Sequence, residues 1–390
     1  MYHNVFYYRN GVNMEEPILY RQIYHALREE IQSGHYPPGA QLPTEAELMQ
    51  RFGVSRVTVR NALALLQREG LLVRIPAKGT FVRQRESSAS LPKLIALLAL
   101  DVQLDFFGKI IRGAEQEAAA HGYKLLVRST DNDAEKERQC LLELQSHVAG
   151  FVIAPATGNQ NHAHYGQLLV QSVPFVFVDR YLPEFNVDRV TSDNVHGGYL
   201  ATRHLLELGH RRIGVISPRK STTFTERLRG YQKALEEFGV PFDPALVGHS
   251  VSKRRDGWEE YLYQGRVQAK ALLGLPEPPT ALFAMNDCLA AGALRYLREC
   301  GIAVPEEVAL VGYDGMELSD LMSPALSTVE QQSLRMGAEA VRLLVRRIRE
   351  PESPPQHVVL PVNLRIRAST IASTALVAST LHAASVKGGG

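Results

Sequence analysis

The sequence predicts an α/β protein in which a winged helix-turn-helix domain precedes a doubly wound, parallel-sheet region. Three observations predict it. Residues 17–85 read as helix, helix, tight turn, helix and β-ribbon, the winged helix-turn-helix order. Between Lys93 and Thr370, short apolar runs alternate with amphipathic helical segments, the pattern of buried parallel strands joined by crossover helices. The chain has 390 residues. At roughly 150 residues per domain that is room for two or three domains, and the second region, about 280 residues long, divides more readily into two sheets than one.

In the first domain Leu19, Ile23, Leu27 and Ile31 recur every four residues, giving a helix with one apolar stripe that ends at Gly34, before the Pro37-Pro38-Gly39 turn. Thr44 and Glu47 form a capping box for a second helix, which runs to Gly53. A third helix starts after Ser55 and stops at Gly70. Its Val59, Ala62, Leu63 and Leu66 fall on one arc and face the core, so Val57, Arg60, Asn61 and Ala64 point outward, with Arg56 on the flank. LLVRIP and GTFVRQ flank Ala77-Lys78-Gly79 as a hairpin with a glycine at its tip.

Residues 86–92 are small, polar and end in Pro92, which reads as a linker. Strands are then expected at 94–100, 123–129, 150–155, 174–179, 212–217, 280–285 and 308–313, among about ten in all. Helices are expected at 107–121, 134–146, 195–209, 225–239, 258–274, 287–300 and 333–349. The 93–370 region ends in an Ala/Ser/Thr/Gly-rich tail, 371–390, too poor in large side chains to specify packing.

Composition narrows the function classes. With 45% apolar and 22% charged residues the chain is neither disordered, collagenous nor a disulfide scaffold. Cys140, Cys288 and Cys300 are too scattered for a metal knuckle and point to a reducing, cytoplasmic setting. A secretory leader and an apolar run of about 18 residues are both missing from the sequence, so no membrane partner is expected. The net charge of +2 is uneven: residues 1–85 carry an excess of four cations and the rest a deficit of two. Because bound Lys and Arg release phosphate counterions, that excess points to a polyanion partner for the front end.

The third helix supplies the chemistry for reading double-stranded DNA. Arg60 and Arg56 offer bidentate forks for guanine, Asn61 matches adenine edges and Val57 can meet a thymine methyl. Ser55 and the helix N-terminus suit a phosphate. The wing from Arg74 to Arg83, with Lys78, Gly79 and Thr80 at its tip, can lie in or beside the minor groove, although a solvated hairpin would look the same.

In the second region, polar residues gather at the carboxyl ends of strands, where open parallel sheets bind ligands. Asp101, Asp179-Arg180, Asn286-Asp287 and Asp314 each follow a strand, Asp105-Phe106-Phe107 lies just beyond the first, and Arg227 lies in a helix start. Carboxylates, an amide and an arginine bind vicinal hydroxyls, and an aromatic pair can cover a sugar or base face. The bland alternatives are N-caps for Asp287 and Asp314, core packing for Phe106 and Phe107, and a surface pair for Arg227 with Glu226.

Two resemblances bear on these readings. The motifs SG.YPPG.QLPTE.EL, FGVSR.TVR..L..L..EG and KGTFV resemble the DNA-binding head of GntR-family transcription regulators. That resemblance implies DNA contact by Ser55, Arg56, Val57, Arg60 and the Lys78-Gly79-Thr80 tip. Some members place an arginine between the acidic residues of the second helix; here Ala46 stands between Glu45 and Glu47, so the operator does not carry over. From Leu94 to about Ser369, the stretches DFFGKIIRGAEQEAAAHGY, VTSDNVHGGYLATRHLLELGHRRIGVIS, ERLRGYQKALEEFGV and PTALFAMNDCLAAGALRYLRECGIAVPEEVALVGYD resemble the effector domain of LacI/GalR-type repressors. This implies a periplasmic-binding-protein-like pair of lobes with three crossovers, near 190, 330 and 357. It places Phe106, Phe107, Asp179, Arg180, Asp193, Thr223, Arg227, Asn286 and Asp314 around the effector. The combination is similar to the arabinose-repressor group, which implies a sugar effector.

The expected function is therefore a homodimeric, ligand-responsive transcription repressor that binds operator DNA and a small sugar-like effector and needs no cofactor. Its rivals are a sugar-binding module and an α/β enzyme. Against the enzyme, the sequence holds no GxGxxG after a strand, no GxxxxGK[ST], no GxSxG, no HExxH and no CxxC. His162 and His164, two apart in a segment that reads as a loop, lack a visible third metal ligand.

Overall fold

The computed structural model describes residues 16–76, 78–83, 94–157, 161–217, 220–249 and 257–371. The linker at 86–92, Ala77 at the wing tip and the tail after Ile371 lie outside the described residues. Contacts divide the chain into two compact units, one of Met1–Ala89, His162–Val173 and Pro351–Pro354, the other of Ser90–Asn161, Pro174–Glu350 and Pro355–Gly390.

The first unit opens with α1 (Glu16–Gln32), α2 (Glu45–Phe52), α3 (Arg56–Arg68), β1 (Leu72–Ile75) and β2 (Gly79–Val82). Ile23 and Leu27 of α1, Leu48 of α2, Val59, Ala62, Leu63 and Leu66 of α3 and Leu72 and Val82 of the ribbon close one apolar core. The capping box is present in full: Glu47 accepts from Thr44 N while Thr44 Oγ1 accepts from Glu47 N. Ser55 caps α3 by accepting from Thr58 N at 3.3 Å. β1 and β2 pair antiparallel with Ile75 opposite Gly79. Residues 39–42 run beside β2, with Leu42 N donating to Thr80 O and Val82 N to Ala40 O, each at 2.8 Å.

The second unit carries two sheets. β3 (Leu94–Ala99), α4 (Asp105–Ala120), β4 (Lys124–Ser129), α5 (Ala134–Leu144), β5 (Phe151–Ile153), β6 (Phe175–Val178) and β7 (Arg189–Ser192) follow in order, while α6 (His162–Val170), between β5 and β6 in sequence, belongs to the first unit. Next come α7 (Asn194–Glu207), β8 (Ile213–Ile216), α8 (Thr222–Glu237), α9 (Trp258–Leu273), β9 (Ala281–Ala284), α10 (Asp287–Glu299) and β10 (Ala309–Asp314). The last described elements are α11 (Leu318–Leu321), β11 (Ser327–Glu330), α12 (Ser333–Arg349), β12 (His357–Leu360) and β13 (Asn363–Arg365). Lobe 1 is a six-stranded sheet, β12-β7-β6-β5-β3-β4, and lobe 2 a five-stranded one, β13-β11-β10-β9-β8.

Pairing is parallel throughout both sheets except between β11 and β13, where a short antiparallel edge strand departs from the all-parallel expectation. The lobes are joined three times, at 193, 331–332 and 361–362. The third crossing falls later than the expected 357 because His357 still pairs with Arg189 in lobe 1. His162 and His164 lie on α6, not in a loop.

A buried triad anchors the end of lobe 2. His204 Nε2 lies 2.9 Å from Thr370 Oγ1, which is 2.7 Å from Ser327 Oγ. Burial of His204 pulls its pKa below the usual value. The unfolded chain therefore takes up a proton first as pH falls. This group's contribution to stability is complete above about pH 6.5 and declines as pH drops toward its lower folded value. Urea denaturation between pH 7.5 and 5 is expected to show that decline, and His204→Gln to flatten it; an equal slope in the variant rejects the assignment.

Candidate functional site

The first candidate surface lies on the head. Burial of Val59, Ala62, Leu63 and Leu66 turns the opposite face of α3 outward, leaving Arg56, Val57, Arg60 and Asn61 exposed. Lys78 is exposed at the wing, next to half-buried Gly79 and Thr80. Gly79 has φ +126°, which side-chain-bearing residues rarely adopt, and Gln41 Nε2 donates to Lys78 O at 2.9 Å beside it. Of the expected DNA-facing residues, Arg56, Val57, Arg60, Asn61 and Lys78 are thus exposed, Gly79 and Thr80 are half-buried, and the Ser55 hydroxyl is engaged in capping α3. Arg74, which opens the expected wing, and Glu45, outside the expected set, join them. Arg74, on β1, and Glu45, on α2, meet at 3.7 Å, and Glu45 also faces Arg56 and Arg60. Only the spatial approach of three separate elements reveals that cluster.

The second candidate site lies between the lobes, and α8 positions its central residue. Gly198 of α7 and Gly230 of α8 let these helices approach so closely that a Cβ on Gly198 would sit 2.1 Å from Arg227 O. That proximity brings Arg227 beside α7. Arg227 Nε donates to Asn194 Oδ1 at 2.9 Å, and Nη1 donates to the Met285 carbonyl. The guanidinium lies 3.6 Å from the Tyr313 ring centroid and 3.7 Å from Asp314 Oδ1. Arg227 is 6% exposed, so the surface pair with Glu226 does not form. Glu226 instead accepts from Asn194 Nδ2 at 3.2 Å and from the Tyr181 hydroxyl at 2.8 Å, a bond across the lobes.

Asp314 and Asp179 both stand at strand ends with positive φ, +112° and +63°. Burial raises the carboxyl pKa of each, and the Arg227 charge opposes that rise in both. Asp179 also lies 3.5 Å from Arg180. Asp314 caps no helix; it accepts from Gln331 Nε2 at 2.8 Å, while the buried Gln331 Oε1 has no hydrogen-bond partner among the described residues. Asp287 does not cap either, that role falling to Asn286, which accepts from Leu289 N at 2.7 Å. Asp287 is wholly buried, accepts from Thr328 Oγ1 and Met316 N, and has its pKa pushed up to about 7 by desolvation. It thereby fixes the turn that follows Asp314.

The other expected residues take less central places. Asp193 caps α7 at the first crossing, accepting from His196 N at 2.9 Å. Thr223, buried in the first turn of α8, meets Ser221 Oγ at 2.7 Å. Phe106 and Phe107 sit edge to face, centroids 5.3 Å apart, within the apolar core of lobe 1. Asp101 accepts from Gln103 N at 2.8 Å. Asp105 bridges the lobes by accepting from Glu317 N at 3.3 Å, and it pairs with Lys109 of its own helix at 3.0 Å. Asn194, Glu226, Tyr181, Tyr313 and Gln331 were outside the expected set; Asn194 and Tyr313 could have been found as neighbours of Asp193 and Asp314.

Known proteins supply an independent comparison. Residues 19–82 match the bacterial regulatory proteins of the gntR family, and residues 202–370 match a periplasmic binding protein-like domain. The chain is 32% identical over 339 residues to the arabinose metabolism transcriptional repressor of Geobacillus stearothermophilus, covering 85% of this chain and 91% of that protein. It is 33% identical over 266 residues to the transcriptional repressor PurR of Haemophilus influenzae, covering 68% and 76%. The crystal structure of a LacI family transcriptional regulator from Enterococcus faecium with bound ribose matches with a TM-score of 0.61 at 28% identity, covering 71% of this chain and 98% of that one. A DNA-reading head and a two-lobed domain with a charged interlobe cluster thus occur in one chain that spans nearly all of a known repressor. The chain belongs to the family of ligand-responsive, DNA-binding transcription regulators that join a gntR-type head to a periplasmic-binding-protein-like domain.

Proposed function

We propose that the chain is a repressor of carbohydrate-metabolism genes, released from its operator by a small sugar. The head, residues 17–85, reads each half-site of an inverted repeat through Arg56, Val57, Arg60 and Asn61 in the major groove. Ser55 and the Lys78-Gly79-Thr80 tip hold the backbone and the adjacent groove. A homodimer of the 93–370 domain sets the spacing between half-sites, and the protein acts in the cytoplasm, where its DNA is.

The observation that carries the effector reading is the buried cluster of Arg227, Asp314 and Asp179, contributed by both lobes. Desolvated charges are costly unless hydrogen-bonded, so their convergence at strand ends favours a site that a polyhydroxylated ligand completes. Gln331 Oε1, buried and without a hydrogen-bond partner among the described residues, adds an acceptor beside Asp314. Phe106 and Phe107 are held in the lobe 1 core, so polar rather than aromatic groups dominate the cluster, which favours a sugar over a purine. Arg180, 3.5 Å from Asp179, is read as an orienting group of this cluster, and Asp193, Thr223 and Asn286 as further effector-binding candidates. The chain works by binding and not by catalysis.

The test is a melting-temperature screen of the full chain with pentoses, hexoses, nucleosides and free purines. A ligand that binds the native state alone raises the apparent stability, by about 2.7 kcal/mol at a hundred times its Kd. A response to a pentose or hexose supports the reading, and a response to purines alone overturns the sugar assignment.

A further inference from the structure

We infer that Glu45 is a positioning residue that locks the recognition helix and the wing into one unit and holds down binding to non-cognate DNA. The inference rests on the reading of the head as a DNA reader. One Glu45 carboxylate faces three guanidinium groups from two other elements: Arg56 at 3.5 Å and Arg60 at 3.9 Å on α3, and Arg74 at 3.7 Å on β1. Glu45 is largely covered, its side chain 25% exposed, whereas the arginines are 58–65% exposed. An anion at this helix start is explained in part by the helix dipole. Glu47 also stands in that first turn, but its carboxylate serves the Thr44 cap, and no dipole gathers arginines from elsewhere. The same segment also reaches the wing tip itself, where Gln41 donates to Lys78 O. Residues 41–45 therefore hold the tip half of the ribbon from both strands, Arg74 standing opposite Thr80, while Glu45 also holds the two arginines of α3.

A carboxylate inside a DNA-binding surface has a clear electrostatic consequence. Non-specific binding depends on cations free to move to phosphates and release counterions, and Glu45 opposes both that movement and the phosphate itself. Specific binding needs the forks already pointed at base edges, which the same contacts provide. Glu45 therefore weakens binding to arbitrary duplex more than binding to the operator.

The experiment uses the full chain and two duplexes, one selected by the unaltered protein from a random pool and a scrambled version of it. Affinities are measured across about 50 to 200 mM salt. Glu45→Gln is expected to bind the scrambled duplex about tenfold tighter at the low-salt end, with a salt slope steeper by about one, and to gain much less on the selected duplex. Glu45→Asp keeps the charge but draws it back, so scrambled binding stays low while preference for the selected duplex falls. The melting temperature of each variant reports on the fold. A Glu45→Gln protein that melts normally and keeps the original ratio between duplexes overturns the inference, as does a Glu45→Asp protein that binds scrambled DNA as tightly as Glu45→Gln. If the unaltered chain enriches no sequence from the pool, the DNA-reading assignment itself fails.

Discussion

Replacing Arg227 with Ala abolishes the response to effector and leaves binding to the selected operator intact. Arg227 makes two charge-assisted hydrogen bonds, to Asn194 Oδ1 and the Met285 carbonyl, stacks on Tyr313 and faces Asp314. Its loss removes the positive charge that opposes burial at Asp314 and Asp179, so both carboxyls shift further toward the neutral form. A neutral carboxyl is a poorer acceptor for ligand hydroxyls, and the Asn194 and Met285 oxygens lose a donor. A single ligand hydrogen bond to the guanidinium, at about 1.5–3 kcal/mol, makes ligand affinity fall by roughly 10- to 150-fold when it is lost. Arg227→Lys guards against a folding defect. It keeps a cation but cannot donate to both partners while stacking on Tyr313, so it folds and still loses most of the response. Effector can move operator affinity only by the difference in its affinity for the two lobe arrangements, and Arg227 lies where the lobes meet. Titration calorimetry with the sugar found by screening, paired with operator binding with and without it, checks this; normal release from operator in Arg227→Ala rejects the site.

The contrast between the two regions explains what the sequence could reveal. The head was legible almost to the residue, because its signals are local: the Thr44–Glu47 box, the Ser55 cap and the α3 stripe all act within a few positions. The central strands β3, β6, β8, β9 and β10 were equally plain as apolar runs. RVTS, STVE, HVVL and NLR were not, because strands of three or four residues with polar members carry no apolar periodicity. Missing β12 misplaced the third crossover. α6 escaped because HAHYGQLLV has weak helical patterning and its His pair drew attention as a metal motif. The site was legible only in part: Arg227 and Asp314 stood out as charges near apolar strands. Glu226, Tyr181 and Gln331 acquire meaning only through partners far along the chain, as Tyr181 does 45 residues from Glu226.

Arg60→Ala tests the other end of the coupling, and its expected effect lies in discrimination rather than in bulk affinity. Arg60 stands on the outward face of α3 with its side chain 60% exposed, flanked by Asn61 and one turn from Arg56 and Val57. A bidentate arginine contact to guanine O6 and N7 is worth about 1–3 kcal/mol, or roughly 5- to 150-fold, against the wrong base. A phosphate contact would instead weaken every duplex alike and reduce the salt slope by about one. These two roles therefore separate in a single measurement. If Arg60 reads a base, the variant loses affinity for the selected duplex far more than for a scrambled one, and relaxes preference at one position of each half-site. Uniform weakening with an unchanged preference would assign Arg60 to the backbone and leave base reading to Asn61, Arg56 and Val57. Because Arg60 is far from the interlobe cluster in sequence and belongs to the other compact unit, its loss leaves sugar binding by the second unit unchanged. A variant that no longer prefers its operator yet still binds the sugar normally is the complement of Arg227→Ala, and together the two establish that reading and sensing are separable parts of one switch.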